Sequence, residues 1–205
     1  MKLCVVVGAG QVGGNTDQMA DALIRGAAQA GHESVKLHLG RLRVGPCLGC
    51  NACTAGGGCV QRDDFPLFVQ AFSSCDVVVW ATPIYFWGIS AQLKALIDRM
   101  YSLGESSPKG YFSYPMKKCA LLMTAADTDR HFWVFESAEQ YYRRLVKYLG
   151  WEDLGVLAAG GCGGTKIPRC IEKTSNLRRA YDFGMQLRQA APAQCENRIE
   201  KETQQ

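Results

Sequence analysis

Short apolar runs alternate with longer amphipathic stretches along this chain of 205 residues. Leu3–Val7 is uninterrupted and stops at Gly8, the pattern of a strand buried on both faces. Asn15-Thr16 can cap a helix in which Met19, Ala22, Leu23, Ala27 and Ala30 form one stripe, with Gly31 at its end. Ser34–Leu39 alternates as a second strand. Gly40–Arg62 is rich in Cys and Gly, has no period, and is expected to be a loop. Asp63-Asp64 open a short helix through Phe65, Phe68, Val69 and Phe72. Asp76–Ala81 is the clearest central strand. Ser90 then caps a helix carrying Leu93, Leu96, Ile97 and Met100. Ser102–Pro115 has the Gly/Ser/Pro content of a surface excursion. Cys119–Met123 gives a fourth strand, and Phe132, Phe135, Ala138, Tyr142, Leu145 and Leu149 trace one face of a long helix. Val156–Ala159 is the fifth strand, with a last helix over about Cys170 to Leu187. Five strands alternating with helices predict one doubly wound α/β domain over residues 1–189, a three-layer αβα arrangement with a parallel sheet. Residues 190–205 are polar and expected to be a disordered tail.

Composition changes this picture little, and charge narrows it. The net charge of +4 is spread without a dense Lys/Arg run, which argues against a nucleic-acid surface and favours anionic small ligands. No apolar stretch nears the roughly 20 residues that span a bilayer. The apolar run after Lys2 is too short for a signal-peptide core, so a cytoplasmic location is expected. Ten cysteines are many for such a chain. In a reducing compartment they are not disulfides; the four crowded into Cys47–Cys59 suggest a function, and the scattered ones suggest core.

Gly8-Ala9-Gly10-Gln11-Val12-Gly13 matches G-x-G-x-x-G directly after a strand, a dinucleotide fingerprint on its face. That motif also wants an acid at the end of the second strand, which here ends in Lys36-Leu37-His38-Leu39-Gly40, and a second domain for a substrate. Extended through Gly14-Asn15-Thr16, the same segment becomes a monophosphate loop. Backbone N–H groups, the Asn15 amide and the Thr16 hydroxyl would surround a phosphate at a helix N-terminus. A plain glycine turn is the third reading.

In a doubly wound sheet of order 2-1-3-4-5, the loops after strands one and three border one cleft. The second of these is Thr82-Pro83-Ile84-Tyr85-Phe86-Trp87-Gly88. Three consecutive aromatics are costly to expose unless something flat covers them. Backbone around Pro83–Gly88 can hydrogen-bond the edge of a flavin, with an aromatic on its face. The alternative is core or a subunit interface.

With these residues in view, the sequence resembles the iron–sulfur flavoprotein and NADPH-dependent FMN reductase superfamily. The resemblance rests on Gly8 through Thr16, on Cys47-x2-Cys50-x2-Cys53-x5-Cys59 followed by Asp63-Asp64, on Ala81-Thr82-Pro83-Ile84-Tyr85, and on Gln92 through Arg99. It covers about the first half of the chain. It implies a flavodoxin-like fold, bound FMN held by the residues of the two loops, homodimers or homotetramers, and electron transfer through the flavin. Two departures stand out. Relatives carry Ser and Arg where this chain has Ala9 and Gln11, which removes a hydroxyl and a charge from the phosphate site. The loop after the fourth strand, often glycine-rich in relatives, is Thr124-Ala125-Ala126-Asp127 here.

The four clustered cysteines have the spacing of the iron–sulfur flavoproteins, and such a loop can wrap a [4Fe–4S] cube, with Gly49 and Gly56–Gly58 freeing backbone to face the sulfurs. Structural zinc, redox thiols and a loop without metal are the rival readings. With a cluster, electrons would pass between a ferredoxin-like partner and FMN; without one, NAD(P)H would reduce FMN and a small molecule would accept. A non-catalytic electron carrier or redox sensor is the alternative; the positive charge tells against the carrier. Cys162 is expected in a glycine turn, Cys4, Cys75 and Cys119 in core or at strand edges, and His32, His38 and His131 as isolated residues.

Overall fold

The computed structural model describes residues 1–106, 112–127, 133–163, 171 and 174–187. Its strands are β1 (Lys2–Val7), β2 (Glu33–His38), β3 (Val77–Tyr85), β4 (Gly88–Ile89), β5 (Glu105–Ser106), β6 (Phe112–Ser113), β7 (Lys118–Thr124) and β8 (Glu152–Ala159). The helices are α1 (Asn15–Gln29), α2 (Phe65–Ser74), α3 (Ala91–Arg99), α4 (Glu136–Leu149) and α5 (Asn176–Gln186). Short 3-10 turns cover Leu39–Arg41, Ala52–Ala55 and Met100–Leu103.

Five parallel strands run in the order β2-β1-β3-β7-β8, which is the expected 2-1-3-4-5 path. β1 lies between β2 and β3, with Val7 opposite both His38 and Ala81. The sheet has a sixth strand that the sequence reading did not include. The segment after Ala81, expected as a loop, continues β3 to Tyr85 and folds back as β4, pairing antiparallel through Ile84–Ile89 and Tyr85–Gly88. β5 and β6 form a separate two-stranded sheet within the expected surface excursion.

The apolar runs divide by strict alternation, since successive side chains of a strand point to opposite faces. Leu3, Val5, Val7, Val77, Val79 and Ala81 pack with Met19, Leu23 and Ala27 of α1 and Ala180 of α5. Cys4, Val6, Val78, Trp80, Leu121 and Met123 pack with Phe68 and Phe72 of α2, Leu93 and Leu96 of α3, and Tyr142 of α4. The uninterrupted runs therefore serve two cores, and Cys4, Cys75 and Cys119 are buried in one of them. α1 and α5 touch backbone to backbone. A Cβ on Gly26 would stand 1.9 Å from the Tyr181 carbonyl oxygen, and one on Gly184 would stand 2.0 Å from that of Leu23.

Helix starts differ from expectation in detail. Gly14, not Asn15 or Thr16, is the N-cap of α1, and it offers no side-chain cap. Asp63 and Asp64 precede α2 as expected, but Asp64 accepts from the Arg43 N–H while Asp63 accepts from the Phe65 N–H. Ser90 caps α3 as expected, accepting from the Leu93 N–H at 3.3 Å. Residue 132, the start of the long helix expected through Leu149, residue 170, the start of the last expected helix, and the 190–205 tail lie outside the described residues.

Candidate functional site

The strand order reverses between β1 and β3, so chain leaves their carboxyl ends in opposite directions and opens a crevice. The glycine segment follows β1. Gly8 N–H donates to the Ala81 carbonyl at 2.7 Å, which ties the start of the loop to the neighbouring strand. Gly10, Gln11 and Val12 are exposed, and Ala9 turns into the core. Gly13 adopts φ +68°, a left-handed turn that a Cβ disfavours. Its N–H donates to the Asp17 carboxylate at 2.6 Å. The N–H groups of Asn15, Thr16 and Asp17 lie in the first turn of α1, where an α-helix has no internal acceptor for them.

The side chains of that turn bond within the protein. Asn15 Nδ2 donates to the Cys162 carbonyl at 2.8 Å, while its Oδ1 is buried with no hydrogen-bond partner among the described residues. Thr16 and Thr124 share a hydroxyl–hydroxyl bond of 2.7 Å, and both residues are buried. Loops after β1, β7 and β8 are thus laced together behind the glycine segment. Cys162 takes part through its backbone; its thiol, buried, donates to the Ala159 carbonyl.

The aromatic segment follows β3, and none of Gly8–Thr16 lines the cavity it borders. Ile84, Tyr85, Phe86, Trp87, Ala125, Ala126, Asp127 and Val134 line a cavity of about 440 Å³. Phe86 and Trp87 turn the β3–β4 hairpin with φ of 47° and 62°. Bulky residues at positive φ cost on the order of 1–3 kcal/mol each, and Phe86 is 97% exposed, so folding alone does not account for them. Of the aromatic-loop residues expected at a ligand, Ile84 through Trp87 border the cavity. Pro83 is buried in β3 opposite Thr124, and Gly88 belongs to β4. Asp127 ends the loop noted after the fourth expected strand but was not singled out as a ligand residue; Val134 carried no sequence signal and arrives from the chain leading into α4.

The cysteine segment lies apart. Cys47, Cys50, Cys53 and Cys59 all border one pocket together with Arg99 and Tyr101. Asn51 and Gly49 are left-handed, as are Gly56–Gly58. Among the described residues no three Cys, His, Asp or Glu side chains are gathered closely enough to hold a metal ion. The feet of the loop are clasped by Arg99, whose side chain is buried. It donates to Asp63 through both terminal nitrogens, at 2.6 and 3.1 Å, and to the Gly45 carbonyl at 3.2 Å. The Arg99 guanidinium outweighs partial burial and holds the Asp63 carboxyl down at about 2. Arg99, which by its place on the third helix was expected to stabilise helix and interface or to help an anionic partner, is this internal clamp.

A parallel sheet of this order, with a glycine loop and an aromatic hairpin on either side of its reversal, defines the flavodoxin-like class of α/β proteins. The chain belongs to the NADPH-dependent FMN reductase family, which it matches over residues 1–145. An iron-sulfur flavoprotein of Archaeoglobus fulgidus is 36% identical over 104 residues, 51% of this chain and 47% of that protein. An FMN-dependent NADH:quinone oxidoreductase of Pseudomonas aeruginosa is 32% identical over 107 residues, 49% of this chain and 52% of that protein. The chain spans about half the length of the curated relatives it matches. The solved structure of an NAD(P)H:quinone oxidoreductase from Methanothermobacter marburgensis superposes with a TM-score of 0.75 at 18% identity, covering 93% of this chain and 98% of that one, a likeness of fold.

Proposed function

We propose that this protein is an FMN-dependent oxidoreductase that takes electrons from NAD(P)H and passes them to a small acceptor. The observation that carries the reading is the aromatic-lined cavity beyond the ends of β3 and β7, with the glycine loop and the α1 N-terminus following the neighbouring strand β1. Its shape and lining fit a flat ring, and the open first turn of α1 fits a phosphate. When bound, the flavin supplies the acceptance and donation of electrons.

The chain's own part is to bind and orient. Backbone from Gly8 to Thr16 (Gly8, Ala9, Gly10, Gln11, Gly13, Gly14, Asn15, Thr16) forms the phosphate wall, with Asn15 and Thr16 bracing it from behind. Ile84, Tyr85, Phe86 and Trp87 on one side, with Ala125 and Ala126 on the other, enclose the ring and exclude water, while Pro83, Gly88 and Thr124 shape their backbone. No side chain needs to act as acid or nucleophile. The name of the Pseudomonas relative favours a quinone as acceptor class. Steady-state NAD(P)H oxidation by flavin-loaded protein, with quinone present and absent, tests this. Turnover above free FMN that falls at least tenfold in Trp87→Ala supports it; turnover no faster than free FMN sinks it.

The finer reading concerns the cysteine loop. Four thiols around one pocket are the donor set of a [4Fe–4S] cluster, and the Archaeoglobus relative's name points the same way; the side chains as they stand are not drawn together into a metal site. Iron and acid-labile sulfide per FMN, measured in protein purified without oxygen, decide it: near-equal iron and sulfide at several per flavin mean a cluster with Cys47, Cys50, Cys53 and Cys59 as ligands. A cluster would make a ferredoxin-like protein the redox partner. We further infer a homodimer or homotetramer, in keeping with the exposed Phe86 and Trp133, and a reducing, cytoplasmic setting, in keeping with eight free cysteines among the described residues.

A further inference from the structure

A carboxylate sits where a phosphate site would least want one. Asp17 is the third residue of α1, so it shares the positive end of that helix with any anion bound by the glycine loop. It is 3% exposed, and its Oδ2 accepts the Gly13 N–H at 2.6 Å. That bond fixes the left-handed turn at Gly13 and removes one amide from the set available to a ligand. The carboxylate is not left bare. Lys36 of β2 stands 2.5 Å from Asp17 Oδ1 and 2.6 Å from Asp21 Oδ1. His38, one strand position pair further on, brings Nε2 to 3.8 Å from Asp17 Oδ2 while its Nδ1 accepts the Gly40 N–H at 3.1 Å. Arg41 borders the same hollow as Asp17, Lys36 and His38, while Asp21 meets the site through its ion pair with Lys36. The turn that carries Arg41 also presses on the loop, since Gly40 lies so close that a Cβ would stand 2.4 Å from the Gly10 carbonyl oxygen.

We propose that Asp17 and Lys36 act as a positioning pair for phosphate recognition: Asp17 shapes the glycine loop through Gly13, and Lys36 cancels the charge that would otherwise repel a phosphate monoester from the α1 N-terminus. This rests on the flavin reading above and deepens it, because it makes the choice of FMN over unphosphorylated riboflavin depend on a residue of β2 outside the loop. Burial pushes the Asp17 carboxyl up, but the Lys36 ammonium and the Gly13 N–H outweigh it and keep the group ionised. The same two carboxylates hold the Lys36 ammonium charged against its own burial. The loop of this chain has Gln11 and no cation of its own among Gly8–Thr16, so the ammonium that offsets Asp17 comes from β2, outside the loop.

The test is the dissociation constant of FMN and of riboflavin, by flavin fluorescence, for apoprotein of the wild type, Lys36→Met, Asp17→Asn and the double variant. The wild type prefers FMN. Lys36→Met lowers that preference roughly tenfold, more at low salt, because the carboxylate is left beside the phosphate. Asp17→Asn keeps an oxygen for the Gly13 N–H and keeps or raises the preference; it does not depend on Lys36→Met folding. The double variant returns to within about threefold of the wild type. A purely structural role would weaken both flavins alike, and that result, or loss of preference in Asp17→Asn, overturns the proposal. A wild type with no preference for FMN removes the phosphate-site reading and this inference with it, an outcome distinct from a preference the variants leave unmoved.

Discussion

Thr16 and Thr124 lie 108 positions apart, yet their hydroxyls meet at 2.7 Å in a buried site that joins the α1 N-terminus to the end of β7. Thr16→Val keeps the volume and leaves the Thr124 hydroxyl without that partner, a loss of about 1–3 kcal/mol. A urea melt of the apoprotein should show it as a lower midpoint at unchanged slope. Asp63 makes a pH prediction. Its carboxyl, ordinarily near 3.8, is held at about 2 in the folded chain by Arg99. A group depressed on folding stabilises the protein fully above its unfolded value and loses that contribution as pH falls through the folded one. Stability should therefore fall between about pH 4 and pH 2, and Asp63→Asn should flatten that part of the profile. At this scale the sequence was partly legible. Gly8–Thr16 and Ile84–Trp87 announced themselves by residue type and position after strands. Asp17, Lys36 and His38 did not, because a carboxylate, a lysine and a histidine on two elements have no common sequence pattern until the sheet sets β2 beside β1.

The β3–β4 hairpin shows what an element can give up for a site. A two-residue turn with both φ positive favours Asn-Gly, and here it is Phe86-Trp87. Exchanging the pair for Asn-Gly should raise stability by about 1–2 kcal/mol in thermal or urea melts while weakening flavin binding. A variant that gained stability and bound FMN unchanged would remove the hairpin from the cofactor site. The segment was expected as a loop because Pro83 and the aromatics break the apolar run. Pro83 is tolerated in β3 because it sits near the strand end, where a missing N–H removes little from the ladder. The helices, in contrast, followed their apolar periods: Met19, Ala22, Leu23 and Ala27 of α1 are buried in one core and Phe65, Phe68 and Phe72 of α2 in the other.

For the molecule as a whole, a ligand that binds only the folded state raises its stability by mass action. FMN at about a hundred times its dissociation constant should add about 2.7 kcal/mol, seen as a higher melting temperature, and riboflavin at equal concentration should add less. Equal shifts from both would mean that the phosphate contributes nothing. The five strands alternating with helices, the apolar residues of both cores and the two loops singled out at strand ends follow from information local to the sequence: unbroken apolar runs, helical stripes, and glycine and aromatic residues after strands. Those signals work because burial and backbone geometry act over a few neighbouring residues. The tertiary structure alone decided what depends on distant partners: the Thr16–Thr124 bond, the Arg99 clamp on the cysteine loop, the closing of the cavity by Asp127 and Val134, and the cancellation of Asp17 by Lys36. Hydrogen bonds and ion pairs act over a few ångströms in space, and only the packed sheet brings those groups within reach of one another.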